Sequence, residues 1–174
     1  MITIVNGTNR AGNLTSIFSL YTESLLKSKT NETVELINLE DLPRDFVFHN
    51  EVYGKPAPGF TNIVEHKIEP ADKFIWISPE YNGGFPGVSK AFIDAVIPSR
   101  FKGKKIAFVG TSAGRSGNSR GMDQLTAVGH YLGMNVMPFK PAINNINALL
   151  TAGKLTDEKT IKLLDLFLND FLEY

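Results

Sequence analysis

Three short clusters of glycine with hydroxyl and amide side chains carry most of the chemistry this sequence offers: residues 7–15 (GTNRAGNLT), 79–84 (PEYNGG) and 110–117 (GTSAGRSG). In the first, Gly7 and Gly12 have the spacing of a Walker A loop, but Asn13 and Leu14 stand where that motif needs Lys and Ser or Thr. That argues against a nucleoside triphosphatase. What remains is a turn entering a helix, where free N–H groups and the helix dipole favour an anion. A phosphate monoester held without magnesium suits it, with Arg10 adding a charge-assisted contact; the alternative is an ordinary capped turn. In the second cluster, glycines let the backbone approach a flat ligand, Tyr81 offers an aromatic face, and Asn82 is both donor and acceptor. The plainer alternative is a turn that ends a strand. The third contains Gly110-Thr111-Ser112-Ala113-Gly114, a formal nucleophile-elbow pattern, and so raises a serine hydrolase using Ser112. Such an enzyme needs a later acid and then a histidine. Asp123 and His130 come in that order but fall on one predicted helix, and no histidine follows. The other reading is that small residues here let a bulky ring lie against the loop.

Composition narrows the partners. The chain has 174 residues with 18 Lys plus Arg and 18 Asp plus Glu, so no one-signed field exists to attract nucleic acid or an anionic membrane. A charged ligand must be held locally. Cysteine is absent, which excludes disulfides, thiolate catalysis and thiolate metal sites. His49, His66 and His130 lie far apart, and no metal site is expected from them. The opening MITIVNG lacks a basic leader, and no apolar run is long enough to span a bilayer, so a cytoplasmic protein is expected.

The three clusters need elements to present them. Ile2-Thr3-Ile4-Val5 ending at Asn6-Gly7 reads as a first strand. Ile17, Phe18, Tyr21, Leu25 and Leu26 recur at helical spacing, giving a helix from Leu14 to about Ser28. Val34, Leu36 and Ile37 give a second strand. Residues 40–61, with Pro43, Pro56 and Pro58, read as a long functional loop or lid, its Phe46, Phe48 and Tyr53 bordering a substrate space or packing in the core. A short helix near 61–69 precedes Phe74-Ile75-Trp76-Ile77, apolar on both faces as befits a strand covered on each side. Pro86 suits the first turn of the next helix, which buries Val88, Phe92, Ile93, Val96 and Ile97. Ile106 to Val109 is a fourth strand, a helix with Met122, Leu125, Val128 and Leu132 follows, and Val136-Met137 is a short fifth strand. Thr156 is the expected N-cap of a last helix carrying Ile161, Leu164, Leu168 and Phe171. Alternating strands and helices predict an α/β three-layer sandwich, one domain over residues 1–174, with a five-stranded parallel sheet in the flavodoxin-like order 2-1-3-4-5. Its ligand edge lies at the carboxyl ends of the strands, so all three clusters converge there.

Gly7-Thr8-Asn9-Arg10, Ser78-Pro79-Glu80-Tyr81-Asn82-Gly83 with Pro86-Gly87-Val88-Ser89-Lys90 and Asp94, and the Ser/Gly-rich stretch to Arg120-Gly121 resemble the NADPH-dependent FMN reductases, whose relatives include azo, quinone and chromate reductases. The resemblance spans nearly the whole chain. It implies FMN as cofactor, with phosphate on Thr8, Arg10, Asn13, Leu14 and Thr15. It sets Pro79, Glu80, Tyr81, Asn82 and Gly83 along the flavin, and Ser112 and Gly114 beside it. Family members commonly carry Ser where this chain has Thr8, and Ser and Asn where it has Asn13 and Thr15. The implied chemistry belongs to the cofactor, with no catalytic side chain. A hydride from NADPH or NADH reaches FMN, and electrons pass by a ping-pong scheme to a quinone, azo compound, free flavin or similar small-molecule acceptor. N–H groups of Gly83 and Gly84, if aimed at the ring, would stabilise charge on it. Arg10, Arg115 and Arg120 are candidates for the 2′-phosphate of NADPH. The resemblance also implies a homodimer or homotetramer; Lys90 and Asp94 either pair on a solvated helix face or meet another subunit. A flavodoxin-type electron carrier is the alternative within flavoproteins, although such carriers tend to be strongly acidic and this chain is neutral.

Overall fold

The structure is a computed structural model, and it describes residues 1–43, 46–49 and 59–174. Strand β1 (Ile2–Asn6) leads into α1 (Thr15–Lys29), and β2 (Val34–Asn38) returns beside β1. A single helical turn, α2 (Phe46–His49), and α3 (Phe60–Ile63), which runs on as a wider π-type turn over Val64–Ile68, precede β3 (Lys73–Pro79). Then come α4 (Gly87–Asp94), β4 (Lys105–Thr111), α5 (Ser119–Tyr131), β5 (Asn135–Val136), β6 (Ala142–Ile143), the hairpin β7 (Leu150–Thr151) and β8 (Lys154–Leu155), and α6 (Glu158–Glu173). The main sheet is parallel with order β2-β1-β3-β4-β5, the flavodoxin-like winding expected from the sequence.

The strand residues alternate between two cores, as a period of two demands. Ile2, Ile4, Ile75, Ile77, Ala107 and Val109 face Phe18 and Leu26 of α1 and Leu164, Phe167, Leu168 and Phe171 of α6. Val5, Phe74, Trp76, Ile106 and Phe108 face Phe60, Phe92, Met122 and Leu125 on the other side. Phe92 sits edge-on to both Phe60 and Trp76. Both faces of β1, β3 and β4 are thus buried, which fixes their carboxyl ends as one edge of a rigid slab. At the opposite edge lysines close the helix ends: Lys73 Nζ donates to Leu172 O at 2.9 Å, and Lys104 Nζ donates to Ile68 O and Glu69 O at 2.6 and 2.9 Å. Burial pushes both ammonium groups below their ordinary pKa.

Several expectations need correction. The fifth strand is not one segment at Val136-Met137 but two. β5 pairs with Lys105 and Ile106 of β4, and β6 pairs with Gly110 and Thr111. Pro138 and Pro141 lie between them and cannot donate to a ladder. Pro86 stands just before α4 in extended backbone (φ −62°, ψ 142°) rather than inside its first turn. That helix ends at Asp94, so Val96 is buried from the following turn while Ile97 is about half exposed. The N-cap of α6 is Asp157, whose side chain accepts the Thr160 N–H, and not Thr156. Phe46 is core, in contact with the Phe60 ring at 4.9 Å, whereas Phe48 is exposed. Tyr53, Pro56 and Pro58 lie outside the described residues.

Candidate functional site

The loops after β1, β3 and β4 meet at the carboxyl edge of the sheet and enclose a cleft of about 310 Å³. It lies where the chain winds from β1 to opposite sides of the sheet, the position at which open α/β sheets bind ligands. Arg10, Asn13, Leu14 and Thr15 line it from the first loop, Pro79, Glu80 and Tyr81 from the second, and Ser112 from the third. Thr8, Asn82, Gly83 and Gly114 are not part of that lining.

The first loop is shaped by its own side chains. Asn13 Oδ1 accepts the Ser16 N–H at 2.8 Å, and Asn13 Nδ2 donates to Arg10 O and Glu40 Oε2, each at 2.9 Å. This is an N-cap contact in effect, although regular α1 geometry begins only after Leu14. The N–H groups of Gly12, Leu14 and Thr15 make no hydrogen bond among the described residues and stand free at the helix start. Thr15 Oγ1 lies 3.2 Å from Thr111 Oγ1. Thr8 is fully buried; its hydroxyl accepts the Arg10 N–H at 3.2 Å and shares a 2.6 Å hydrogen bond with the Tyr81 hydroxyl. Its place is therefore behind Tyr81. Ser89 of α4 anchors the same loop by donating to Gly7 O at 2.8 Å.

The second loop is a two-residue hairpin. Tyr81 N–H donates to Gly84 O at 2.9 Å and Gly84 N–H to Tyr81 O at 3.0 Å, with Asn82 at φ 51° and Gly83 at φ 78° between them. Two successive left-handed residues are what a type I′ turn requires, and Asn-Gly is the pair that supplies them at least cost. The Gly84 N–H is thereby committed to the hairpin. The Asn82 and Gly83 N–H groups are the ones left without an internal partner. Glu80 N–H donates to Thr111 O at 2.9 Å; its carboxylate accepts from Ser116 Oγ and lies 4.0 Å from the largely exposed Arg120 guanidinium.

The third loop commits Ser112. Its hydroxyl donates to Gly114 O and accepts the Gly117 N–H, both at 2.9 Å, so it braces the turn. Asp123 is exposed and pairs with Lys140 at 3.7 Å, and His130 is exposed. The Ser-His hydrogen bond that a hydrolase needs is not made. Sequence reasoning missed Ile146 and Asn147, which line the cleft from the helical turn Ile146–Leu149. Asn145 N–H to Gly114 O (2.9 Å) and Ile146 N–H to Ser112 O (3.1 Å) stitch that turn to the third loop. The Asn144-Asn145 pair was its one sequence signal, as a turn former.

Free N–H groups at one side of the cleft, with Tyr81, Pro79, Leu14 and Ile146 beside them, fit a ligand that joins an anionic group to a flat apolar ring. Comparisons with known proteins agree. The model of the NADPH-dependent FMN reductases matches residues 1–148. An NAD(P)H-dependent FMN reductase from Schizosaccharomyces pombe is 29% identical over 149 residues, covering 82% of this chain and 72% of that protein. An NAD(P)H:quinone oxidoreductase from Solanum tuberosum is 29% identical over 138 residues, covering 76% of this chain and 70% of its own. The solved structure of FerB, a flavoenzyme NAD(P)H:(acceptor) oxidoreductase from Paracoccus denitrificans, superposes with a TM-score of 0.74 at 27% identity over 99% of this chain and 95% of that one. With a family model covering the whole sheet edge and the loops that build the cleft, the chain belongs to the NADPH-dependent FMN reductases, flavodoxin-like oxidoreductases that work with FMN and NAD(P)H.

Proposed function

We propose that this chain, as one domain over residues 1–174, holds FMN in the cleft between its three loops and catalyses electron transfer from NAD(P)H to a small-molecule acceptor. Quinones, azo compounds and free flavins are the acceptor classes. The observation that carries the reading is the set of unpartnered N–H groups of Gly12, Leu14 and Thr15 lining the cleft, with two more, Asn82 and Gly83, on the hairpin that follows its Tyr81 wall. The first set, with the exposed Arg10 beside it, suits a phosphate monoester. The second set, on a hairpin whose hydrogen bonds are otherwise complete, suits the polar edge of a ring. Fixed donors of this kind favour negative charge developing on a ligand without having to reorganise.

When bound, FMN supplies the two-electron hydride chemistry; position, orientation and exclusion of water fall to the protein. Tyr81 presents an aromatic wall whose tilt the buried Thr8 hydroxyl sets. Glu80 keeps its carboxylate on Ser116 and close to Arg120. Ser112 is committed to Gly114 O and the Gly117 N–H rather than to a base. One cleft serving donor and acceptor in turn gives a ping-pong scheme, which predicts parallel double-reciprocal plots. The similar proteins named for quinones and general acceptors support the acceptor class. Assembly as a homodimer or homotetramer in the cytoplasm belongs to the same proposal and is checked by light scattering of the purified protein. Lys90 and Asp94 pair with each other at 2.7 Å along α4.

The test is the visible spectrum of the purified, FMN-reconstituted protein before and after anaerobic NADPH. A flavin spectrum that bleaches within seconds is expected. A protein that takes up no FMN and oxidises no NAD(P)H refutes the proposal, and one that binds FMN but bleaches only over many minutes returns the carrier reading.

A further inference from the structure

Asn118 is fully buried and sits in left-handed backbone (φ 63°, ψ 31°) immediately before α5, far from the second loop in sequence. Its Nδ2 nevertheless donates two hydrogen bonds into that loop, to Ser78 O at 2.9 Å and Pro79 O at 3.0 Å. These are the last two residues of β3, and both lie beyond Ile77, the last residue paired with β1. A carboxamide carries two N–H donors on one nitrogen, so one side chain reaches two successive carbonyls at the end of β3, where the strand still pairs with β4 but no longer with β1. Pro79 O also accepts from Ser78 Oγ at 3.3 Å. Asn118 N–H donates to Ser116 Oγ at 3.2 Å, and Ser116 Oγ donates onward to the Glu80 carboxylate. Met122 N–H closes on Asn118 O at 2.9 Å, which ties the arrangement to the start of α5. Residue 121 is glycine for the same reason, since a Cβ there would come within 2.1 Å of Asn118 Oδ1. The chain thus reserves a backbone conformation, a buried volume and a neighbouring glycine for this one amide.

We propose that Asn118 is the positioning residue of the flavin site: its amide clasps the end of β3 and so sets where Pro79, Glu80 and Tyr81 present themselves to the ring. It touches no ligand and acts only through that main chain. The proposal rests on the FMN reading.

The experiment uses the full chain as wild type, N118G and N118D, with FMN titrated by fluorescence quenching and bound flavin followed by visible circular dichroism. Glycine accepts the left-handed backbone, so N118G keeps the turn and deletes only the clasp. Loss of two hydrogen bonds should weaken FMN binding about tenfold and change the flavin dichroism. In N118D an ionised carboxylate faces two carbonyl oxygens. It should bind FMN more weakly than N118G at pH 8 and recover as the pH falls, because the protonated acid donates one hydrogen bond. A residue that merely filled space would give the opposite order, with the nearly isosteric aspartate the milder change and no pH-dependent recovery. Wild-type affinity and dichroism in N118G, or wild-type behaviour of N118D at pH 8, overturns the proposal. Amide hydrogen exchange of the FMN-free protein separates this from the flavin reading. If wild type takes up no FMN, that reading falls, while faster exchange at Tyr81 and Gly84 in N118G still supports the clasp and unchanged exchange refutes it.

Discussion

Thr8→Val removes one hydroxyl and little else. Thr8 is fully buried, its oxygen accepts the Arg10 N–H at 3.2 Å, and it shares the 2.6 Å contact with the Tyr81 hydroxyl. Two hydrogen bonds at about 0.5–1.5 kcal/mol each bound the loss at about 1–3 kcal/mol. Arg10 is exposed and Tyr81 half-buried, so water re-satisfies both partners in part and the expected cost is about 1–2 kcal/mol. For a chain of this length each kcal/mol lowers Tm by about 2–4 °C, which places T8V about 2–8 °C below wild type. Tyr81→Phe deletes the shared bond but leaves Thr8 its Arg10 partner, at about 1 kcal/mol. Because both singles lose the same bond, the double variant should fall short of their sum by about 0.5–1.5 kcal/mol. Urea unfolding of the four proteins measures it. Additivity within about 0.3 kcal/mol would mean the contact couples nothing, and the assignment of Thr8 to Tyr81 rather than to a ligand would be refuted.

Gly7→Ala places a Cβ 2.6 Å from the Nε1 of Trp76, the sole tryptophan, and 3.0 Å from Ile77 O. Overpacking should cost about 1–3 kcal/mol and shift the indole emission, and an unchanged emission maximum would refute it. Gly83→Ala forces a Cβ into φ 78° and should cost about 1 kcal/mol, with weaker FMN binding; an FMN affinity equal to wild type would detach the hairpin from the site. The Thr160 N–H, and then its hydroxyl, hold the Asp157 carboxyl below its usual pKa. A depressed folded pKa contributes stability above the unfolded value near about 3.9 and loses it as pH falls through the folded one. The Tm gap between wild type and Asp157→Asn should therefore be constant from pH 7 to about 5 and narrow below about 4, and a gap that widens in acid contradicts the cap. Ser112→Ala should lower Tm and leave esterase background unchanged, whereas ester turnover lost on this substitution would reinstate the hydrolase.

What the sequence made legible was set by local pattern. Phe74 to Ile77 and Ile106 to Val109 are continuously apolar because both faces are covered, and that continuity separated them from the amphipathic helices. The winding order followed from alternation. The C-terminal part escaped because its pairings are not local. β6 exists only by contact with Gly110 and Thr111, and the β7–β8 hairpin turns through Ala152 and Gly153 at φ 49° and 74°. An alanine in that position carries no turn signal. Asn118 was invisible for a similar reason, since its function depends on a left-handed backbone and on two carbonyls about 40 residues away.

The polar side chains of the three loops divide their work differently from what their types suggest. Thr8, Asn13, Ser112, Ser116 and Asn118 are each bonded to the protein itself, and each bond fixes a turn. The main-chain N–H groups of Gly12, Leu14 and Thr15 remain unpartnered at the cleft, beside the exposed Arg10 and Asn147 side chains. A site built this way tolerates exchange of Thr8, Asn13 or Thr15 for another small polar residue, provided the replacement rebuilds the same turn. It follows that substitutions in these loops should register first in stability and only through it in flavin affinity. The exceptions are Arg10, whose exposed side chain lines the cleft, and substitutions that move Asn82-Gly83 or the start of α1 directly, where the donors themselves are displaced.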